Sequence, residues 1–342
     1  MAAGHTSGQP PLMDFIFHES SLKITEKMKK LTYTLLITFI SISAWSQSEQ
    51  LFTHYMFNRL NFNPAYAGSK KVLDVVGIYR NQWWSGIEGS PESGNIGAHM
   101  PFAKLTSGIG VNFIWDKIGL DRTFSLGASY AYRIRFKKGT SKESAIALGL
   151  NARYEGVRSD WTEANEHVTT PDPLFGNSAE NRSTFNVGPG IYYSNRHFYL
   201  GAAIPRLLAN SLYDDRENFS GQVNTYYLQG GAGFYVVPDK VELLPNIQVR
   251  INPNAPFDLD ANLNVMFLKH FWLGANYRKG EGAAPESIDG LIGYQFNNGL
   301  RLGFAMDFTT SDLSTATTGS FEIMLGYTFP CEDCVIKNLR YF

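Results

Sequence analysis

Histidines, cysteines and nucleophile-base pairs are where chemistry would reside in this chain. Seven histidines are present: His5, His18, His54, His99, His167, His197 and His270. From residue 47 onward no two stand at i, i+2 or i, i+4 spacing, so no strand or helix face offers a metal ion two imidazoles. Nucleophilic catalysis would need a Ser or Asp beside a His at one rim of a scaffold. His167 and Asp160 share the stretch 158–182, but loop carboxylates and histidines in such company read as solvated groups. Neither a GxSxG elbow nor a phosphate-binding loop occurs. Asn181-Arg182-Ser183 matches a glycosylation acceptor by pattern alone. Cys331 and Cys334 form a CxxC with no helix to lower a thiol pKa. The pair reads as a local disulfide or as two idle thiols, and no second Cys or His pair turns it into a metal site. The expectation is a protein without enzymatic activity and without a cofactor.

The elements that carry these residues are strands. Of 342 residues, 44% are hydrophobic, 14% aromatic and only 18% charged, with 32 Gly and a net charge of −1. Soluble domains carry about 25% charged residues. The near-zero balance gives no basic stripe for nucleic acid, and none is expected as a partner. Met28 opens a signal peptide: Lys29 and Lys30, an apolar run from Leu31 to Ile42, and the small-x-small site Ala44-Trp45-Ser46. Residues 28–46 are therefore expected to be removed. Residues 1–27 read as a leader or an over-extended start. The apolar run is too short for the ~20 residues a helical span needs, and no longer one follows.

In "TFSLGASYAYRIRF", residues 123–136, every even position from Phe124 to Phe136 is apolar and every odd position is small or polar. A period of two means a strand with two unlike faces. About fourteen such segments follow one another between 72 and 329. Short links ("NRH", "PD") tend to alternate with longer ones ("NQWWSGIEGSPES" and the stretch 158–182). Short turns at one rim and long loops at the other predict a transmembrane, antiparallel, up-and-down β-barrel over 72–329. Lipid would face Phe124 to Phe136, and Arg133 and Arg135 would face the lumen. Because lipid forbids an unpaired sheet edge, the sheet must close. Aromatics near strand ends (Tyr132, Phe136, Phe267, Phe271, Tyr327, Phe329) fit interfacial girdles. The lumen face carries both signs of charge, which favours mutual neutralisation over an ion-selective ring.

Residues 47–71 lack the alternation. Asn63-Pro64 starts a turn and Gly68 suits a positive φ. Phe52, Tyr55, Phe57, Phe62 and Tyr66 must pack on something. They fit a plug in the lumen or at the periplasmic mouth, or a lead-in at the rim. Trp83 and Trp84 on the first long loop, and Trp161 and Phe175 on the longest, are candidate partner contacts, or they fold inward and constrict the pore. Residues 330–342 form a C-terminal tail.

Tyr55-Met56-x-Asn58, Asn63-Pro64-Ala65-Tyr66-Ala67-Gly68, Arg80-Asn81-Gln82-Trp83 and Gly86-Ile87-x-Gly89-Ser90-Pro91 together resemble the PorP/SprF family, as does the ending Phe321-Glu322-Ile323-x-Leu325-x-Tyr327-x-Phe329. The resemblance implies an outer-membrane protein of the Bacteroidetes type IX secretion system. It implies a role in exporting and surface-attaching a large adhesin with a C-terminal sorting domain, as in gliding motility. It also implies contact with the translocon, with periplasmic ring lipoproteins and with outer-membrane lipid. The alternative from another class is an outer-membrane channel for small hydrophobic or polar solutes.

Overall fold

The computed structural model describes residues 50–330, apart from 85–86, 103–104, 139, 141, 161–178, 209–223, 254–255 and 281–285. Strands β1 (Asp74–Asn81), β2 (Glu92–Phe102), β3 (Ser107–Ile118), β4 (Asp121–Phe136), β5 (Ser144–Asp160), β6 (Ala179–Asn195) and β7 (Phe198–Ala203) build one half of the wall. The other half is β8 (Tyr226–Ala232), β9 (Phe234–Val237), β10 (Val241–Ile251), β11 (Asp258–Phe267), β12 (Phe271–Lys279), β13 (Ser287–Gln295), β14 (Leu300–Thr309) and β15 (Ser320–Thr328). β8 and β9 are two pieces of one strand interrupted at Gly233, so the wall has fourteen spans. Each span pairs antiparallel with its neighbours. β15 pairs with β1 from Asp74↔Thr328 to Asn81↔Phe321, which closes the sheet into a barrel.

The interruption has a local cause. The β8–β10 ladder stops at Gly231↔Asn246 and pairing resumes with β9 at Leu243↔Phe234. Pro245 lies between, and without an N–H it cannot donate to a ladder. On its other side Pro245 keeps its place opposite Leu263 of β11.

Side-chain alternation assigns the two faces as the sequence predicts. Along β4, Ser125, Ser129 and Arg133 are buried, while Leu126, Tyr130 and Ile134 are exposed, Leu126 at 56%. A monomer in water would not leave so many large apolar side chains open along the wall from β2 to β15; this is a hydrocarbon-facing belt. Aromatic pairs mark its edges. Phe124 and Tyr154 (5.9 Å between centroids) lie toward the long-loop rim, and Tyr327 with Phe329 (4.7 Å) and Tyr294 with Phe296 (4.8 Å) lie at the short-turn rim. On β4, Phe124 and Phe136 are separated by twelve residues. At ~3.4 Å rise and ~45° tilt the distance spans about 30 Å, close to a bilayer core.

Loops sort by rim. The links after β2, β4, β6, β9, β11 and β13 are short and share one rim, and the longer links lie at the other. The exceptions are β3 to β4, where Gly119 and Leu120 alone make the turn, with Gly119 at φ 55°, and β10 to β11, whose link 252–257 is no longer than the one after β4. β5 and β6 each run 17 residues and stay paired to Asp160↔Ala179. That hairpin is longer than the alternating runs 144–157 and 183–193 because its upper part, with Arg158, Glu180 and Arg182, no longer has to be apolar on either face.

Inside the barrel lie residues 52–67, every one of them buried. They form two short 3-10 turns, Arg59–Asn61 and Pro64–Tyr66. The second follows from sequence: Asn63 Oδ1 accepts from the Ala65 N–H at 3.0 Å and Pro64 supplies a fixed φ at the first position.

Candidate functional site

The candidate site is the interior, where this segment meets the wall. Its chemistry changes from the long-loop end to the short-turn end.

Near the long-loop end the contact is ionic. Glu322 of β15 accepts from the backbone N–H groups of Thr53 (2.6 Å) and His54 (2.8 Å), and lies 2.7 Å from His54 Nδ1. Arg80 of β1 lies 2.6 Å from Asp307 and 3.3 Å from Glu322. The Thr53 hydroxyl donates to Asp307 at 2.9 Å and accepts from Arg80 at 3.2 Å. Arg278 joins Asp260 (2.7 Å) and Asp307 (3.3 Å), and Arg250 lies 3.3 Å from Asp260. Charge is neutralised by neighbours rather than gathered into a ring of one sign. A buried ion lacking such partners would cost several kcal/mol.

Midway the contact is aromatic. The Arg59 guanidinium sits 3.8 Å from the Tyr199 ring centroid and 5.6 Å from that of Tyr66, and donates to Asn246 at 3.3 Å. Tyr192 stacks on Tyr199 at 5.5 Å and meets Tyr66 edge-on. A desolvated cation over such rings gains about 2 kcal/mol. On the opposite side Phe57 lies 5.3 Å from Trp272.

Toward the short-turn end the wall holds the segment's carbonyls. Arg133 of β4 donates to Ala67 O (2.9 Å) and Gly68 O (3.1 Å), and His99 Nδ1 accepts from the Gly68 N–H at 3.1 Å. Lys70 then reaches Asp74 at 2.8 Å, and Arg301 reaches the same carboxylate at 2.7 Å. Burial and the Arg301 guanidinium pull the Lys70 ammonium down to about 7, against Asp74, which holds it up. The unfolded chain, with an ordinary lysine near ~10.4, therefore keeps this proton to higher pH. Folding stability is expected to rise between about pH 7 and pH 10 as a result. Lys70→Met should remove that rise, read as the pH dependence of the melting temperature in detergent.

The residues singled out by sequence fall into two places. Tyr55, Met56, Asn58, Asn63, Pro64, Ala65, Tyr66 and Gly68 belong to the inner segment. Tyr55 donates to Asp260 O (3.4 Å), Asn58 to Asn95 Oδ1 (2.5 Å) and Asn63 to Ile191 O (3.0 Å), and Gly68 has φ 71°. Arg80 is their ionic partner on the wall. Gln82, Trp83, Trp84 and Pro91 lie instead on the first long loop. Gln82 N–H donates to Pro91 O at 2.8 Å, and Trp84 is half exposed. Trp83 has φ 54°, an outlier for so large a residue. Its N–H donates to the Ser320 hydroxyl (3.2 Å) and that of Trp84 to Gly319 O (3.1 Å), which straps the first long loop to the last. Gly86, Trp161, Phe175, Cys331 and Cys334 lie outside the described residues, as do residues 1–49. Thr53 and Arg59 escaped the sequence reading because nothing local distinguishes them; the one available signal was that five aromatics around them needed partners.

Part of another long link also turns inward: Arg206 donates to Glu155 at 3.0 Å from Nε and 2.5 Å from Nη2. On the outside, an apolar concavity of about 700 Å³ runs across β7, β8 and β10 to β13, between Leu200 and Ile288. Among the described residues no group of three His, Cys, Asp or Glu side chains is arranged to hold a metal ion.

Comparison with solved structures returns outer-membrane barrels. Omp33 of Acinetobacter baumannii shares 7% identity over 76% of this chain and 98% of its own, with a TM-score of 0.45. The KdgM porin shares 11% over 75% and 99%, with a TM-score of 0.35. CdiB from Acinetobacter baumannii shares 8% over 75% of this chain and 60% of its own, with a TM-score of 0.34. At these low scores the barrel stands on its own strand pairing. No curated protein matches the chain. The family described as "Type IX secretion system membrane protein PorP/SprF" matches residues 44–327. With that match, and with a closed barrel wearing an apolar belt, the chain belongs to the PorP/SprF family and is an integral outer-membrane component of type IX secretion.

Proposed function

We propose that this barrel is a non-enzymatic docking component of type IX secretion. It supports export and surface attachment of a large adhesin-type cargo with a C-terminal sorting domain. Residues 47–71 act as a plug. The long loops, Trp83 and Trp84 among them, meet the cargo, and the short-turn rim faces the translocon and the periplasmic ring lipoproteins. One observation carries the reading: residues 52–67 are buried against the inner wall, with hydrogen bonds to β1, β2, β4, β6 and β15. A barrel filled in this way is suited to holding something at its mouth rather than to passing solutes.

Two measurements test it. In planar bilayers the purified protein is expected to be nearly silent; steady porin-like conductance would favour a solute channel instead. Deleting the gene is expected to remove a cognate adhesin from the cell surface while other type IX cargo is still exported. An adhesin that stays surface-bound in the deletion strain would overturn the docking role.

A further inference from the structure

The inner segment has a direction, and the strand register fixes it. Gln50 hydrogen-bonds Asp116, two residues before β3 ends at the Gly119–Leu120 turn. That turn belongs to the long-loop rim. Thr53 and His54 bind Glu322, two residues after β15 leaves the last long link. Asn58 meets Asn95, the fourth residue of β2 as it descends from the same rim. Asn63 binds Ile191 O, past the middle of the descending β6. Gly68 meets His99 and Arg133, both near the short-turn ends of β2 and β4, and Lys70 reaches Asp74, where β1 begins. Contacts thus progress along the barrel without reversal.

We propose that the inner segment enters the barrel through the outer, long-loop mouth and runs down to the periplasmic rim, so that Gln50, its outermost described residue, is held at the cell-surface side. In up-and-down barrels of this kind the long loops are extracellular. A plug arranged this way is tethered to the wall at the periplasmic end, through β1. Among the described residues its outer end is gripped by side chains, chiefly Glu322 and Asp307. The end that can let go is therefore the one exposed to whatever binds outside. A partner that takes hold near Gln50 pulls directly on the Thr53 and His54 contacts, whereas a partner in the periplasm meets the covalent end. The inference builds on the plug reading, but its test needs neither cargo nor conductance.

That test is cysteine labelling with a membrane-impermeant maleimide, in a full-length chain that carries Cys331→Ser and Cys334→Ser. Gln50→Cys is the probe. Trp84→Cys reports the long-loop rim, and Lys240→Cys, in the link after β9, reports the short-turn rim. Gln50→Cys is expected to label on intact cells to the same extent as Trp84→Cys. Lys240→Cys should label only after the outer membrane is permeabilised. Labelling of Gln50→Cys only after permeabilisation, while Trp84→Cys labels on intact cells, would overturn the direction of entry. Absence of labelling in both conditions would overturn the claim that this end is open to the mouth. If Trp84→Cys and Gln50→Cys both required permeabilisation, the long loops would face the periplasm and the outward release would fall. None of these outcomes bears on whether the lumen conducts, so failure here is separable from failure of the plug reading.

Discussion

Glu322→Ala is expected to loosen the outer end of the inner segment and to raise conductance well above that of the parent. Glu322 is fully buried and accepts two backbone N–H groups as well as facing His54 and Arg80. Removing it leaves two buried donors without their acceptor, each costing ~1–3 kcal/mol, and takes one of two carboxylates from Arg80. Breaking a buried pair from one side costs about 3–5 kcal/mol, and the terms overlap because all four groups share one site. The loss should appear as a lower unfolding midpoint in detergent. Conductance distinguishes a loosened inner segment from a weakened wall, since the β15 backbone pairing with β1 and β14 does not depend on this side chain. Glu322→Gln keeps one acceptor oxygen and should fall between. Parent-like stability together with parent-like silence in Glu322→Ala would mean that the carboxylate does not hold the segment.

The contrast between wall and interior explains how far the sequence could be read. In β4 a single period-two run states the strand, its two faces and its medium at once, because lipid on one side and polar neighbours on the other act on successive residues. The same logic located both rims, since turns and loops differ in length. The alternating run 197–206 goes past β7, where Ile204 and Pro205 leave the wall and carry Arg206 inward to Glu155, a turn that no periodicity announces. The alternating runs 144–157 and 183–193 stop short of β5 and β6, whose upper ends pair above the hydrocarbon and so lose the alternation that revealed the rest. The interior was less legible still. Arg80 stood out within a family motif, but its partners Asp307 and Glu322 lie more than two hundred positions away and become neighbours only when β15 closes on β1. Arg59 looks like any surface arginine until Tyr192 and Tyr199 arrive from one hairpin and Tyr66 from the segment itself. One clue to all of this was present in the chain: a stretch with five aromatics and no strand period has to be buried somewhere.

Gly149→Leu should have the larger effect on the inner segment, through shape instead of charge. Gly149 lies on the inward face of β5, opposite Ala131 on β4 and Gly190 on β6. The second 3-10 turn passes so close that a Cβ placed on Gly149 would come within 2.5 Å of Ala65 Cα and of the Pro64 carbonyl carbon. Both are backbone atoms, so no rotamer change relieves the clash, and Ala65 is itself fully buried with nowhere to retreat. Overpacking of a tight core costs ~1–3 kcal/mol when side chains can shift, and here the segment has to move. It is expected to leave its seat between β4 and β6, taking Arg59 off the Tyr199 ring and weakening the Arg133 grip on Ala67 and Gly68. The closed sheet can stay paired throughout, so the variant should still fold into the membrane, resist denaturation as a barrel and conduct. Gly290→Leu is the matched control. Gly290 sits on the outward face of β13, and a Cβ added there would have nothing within 4 Å, so the new side chain meets lipid alone. It is expected to leave conductance and melting temperature as in the parent. Equal silence in both leucine variants would show that the segment does not depend on its seat at Gly149; conductance from Gly290→Leu would place the leak in the wall instead of the lumen.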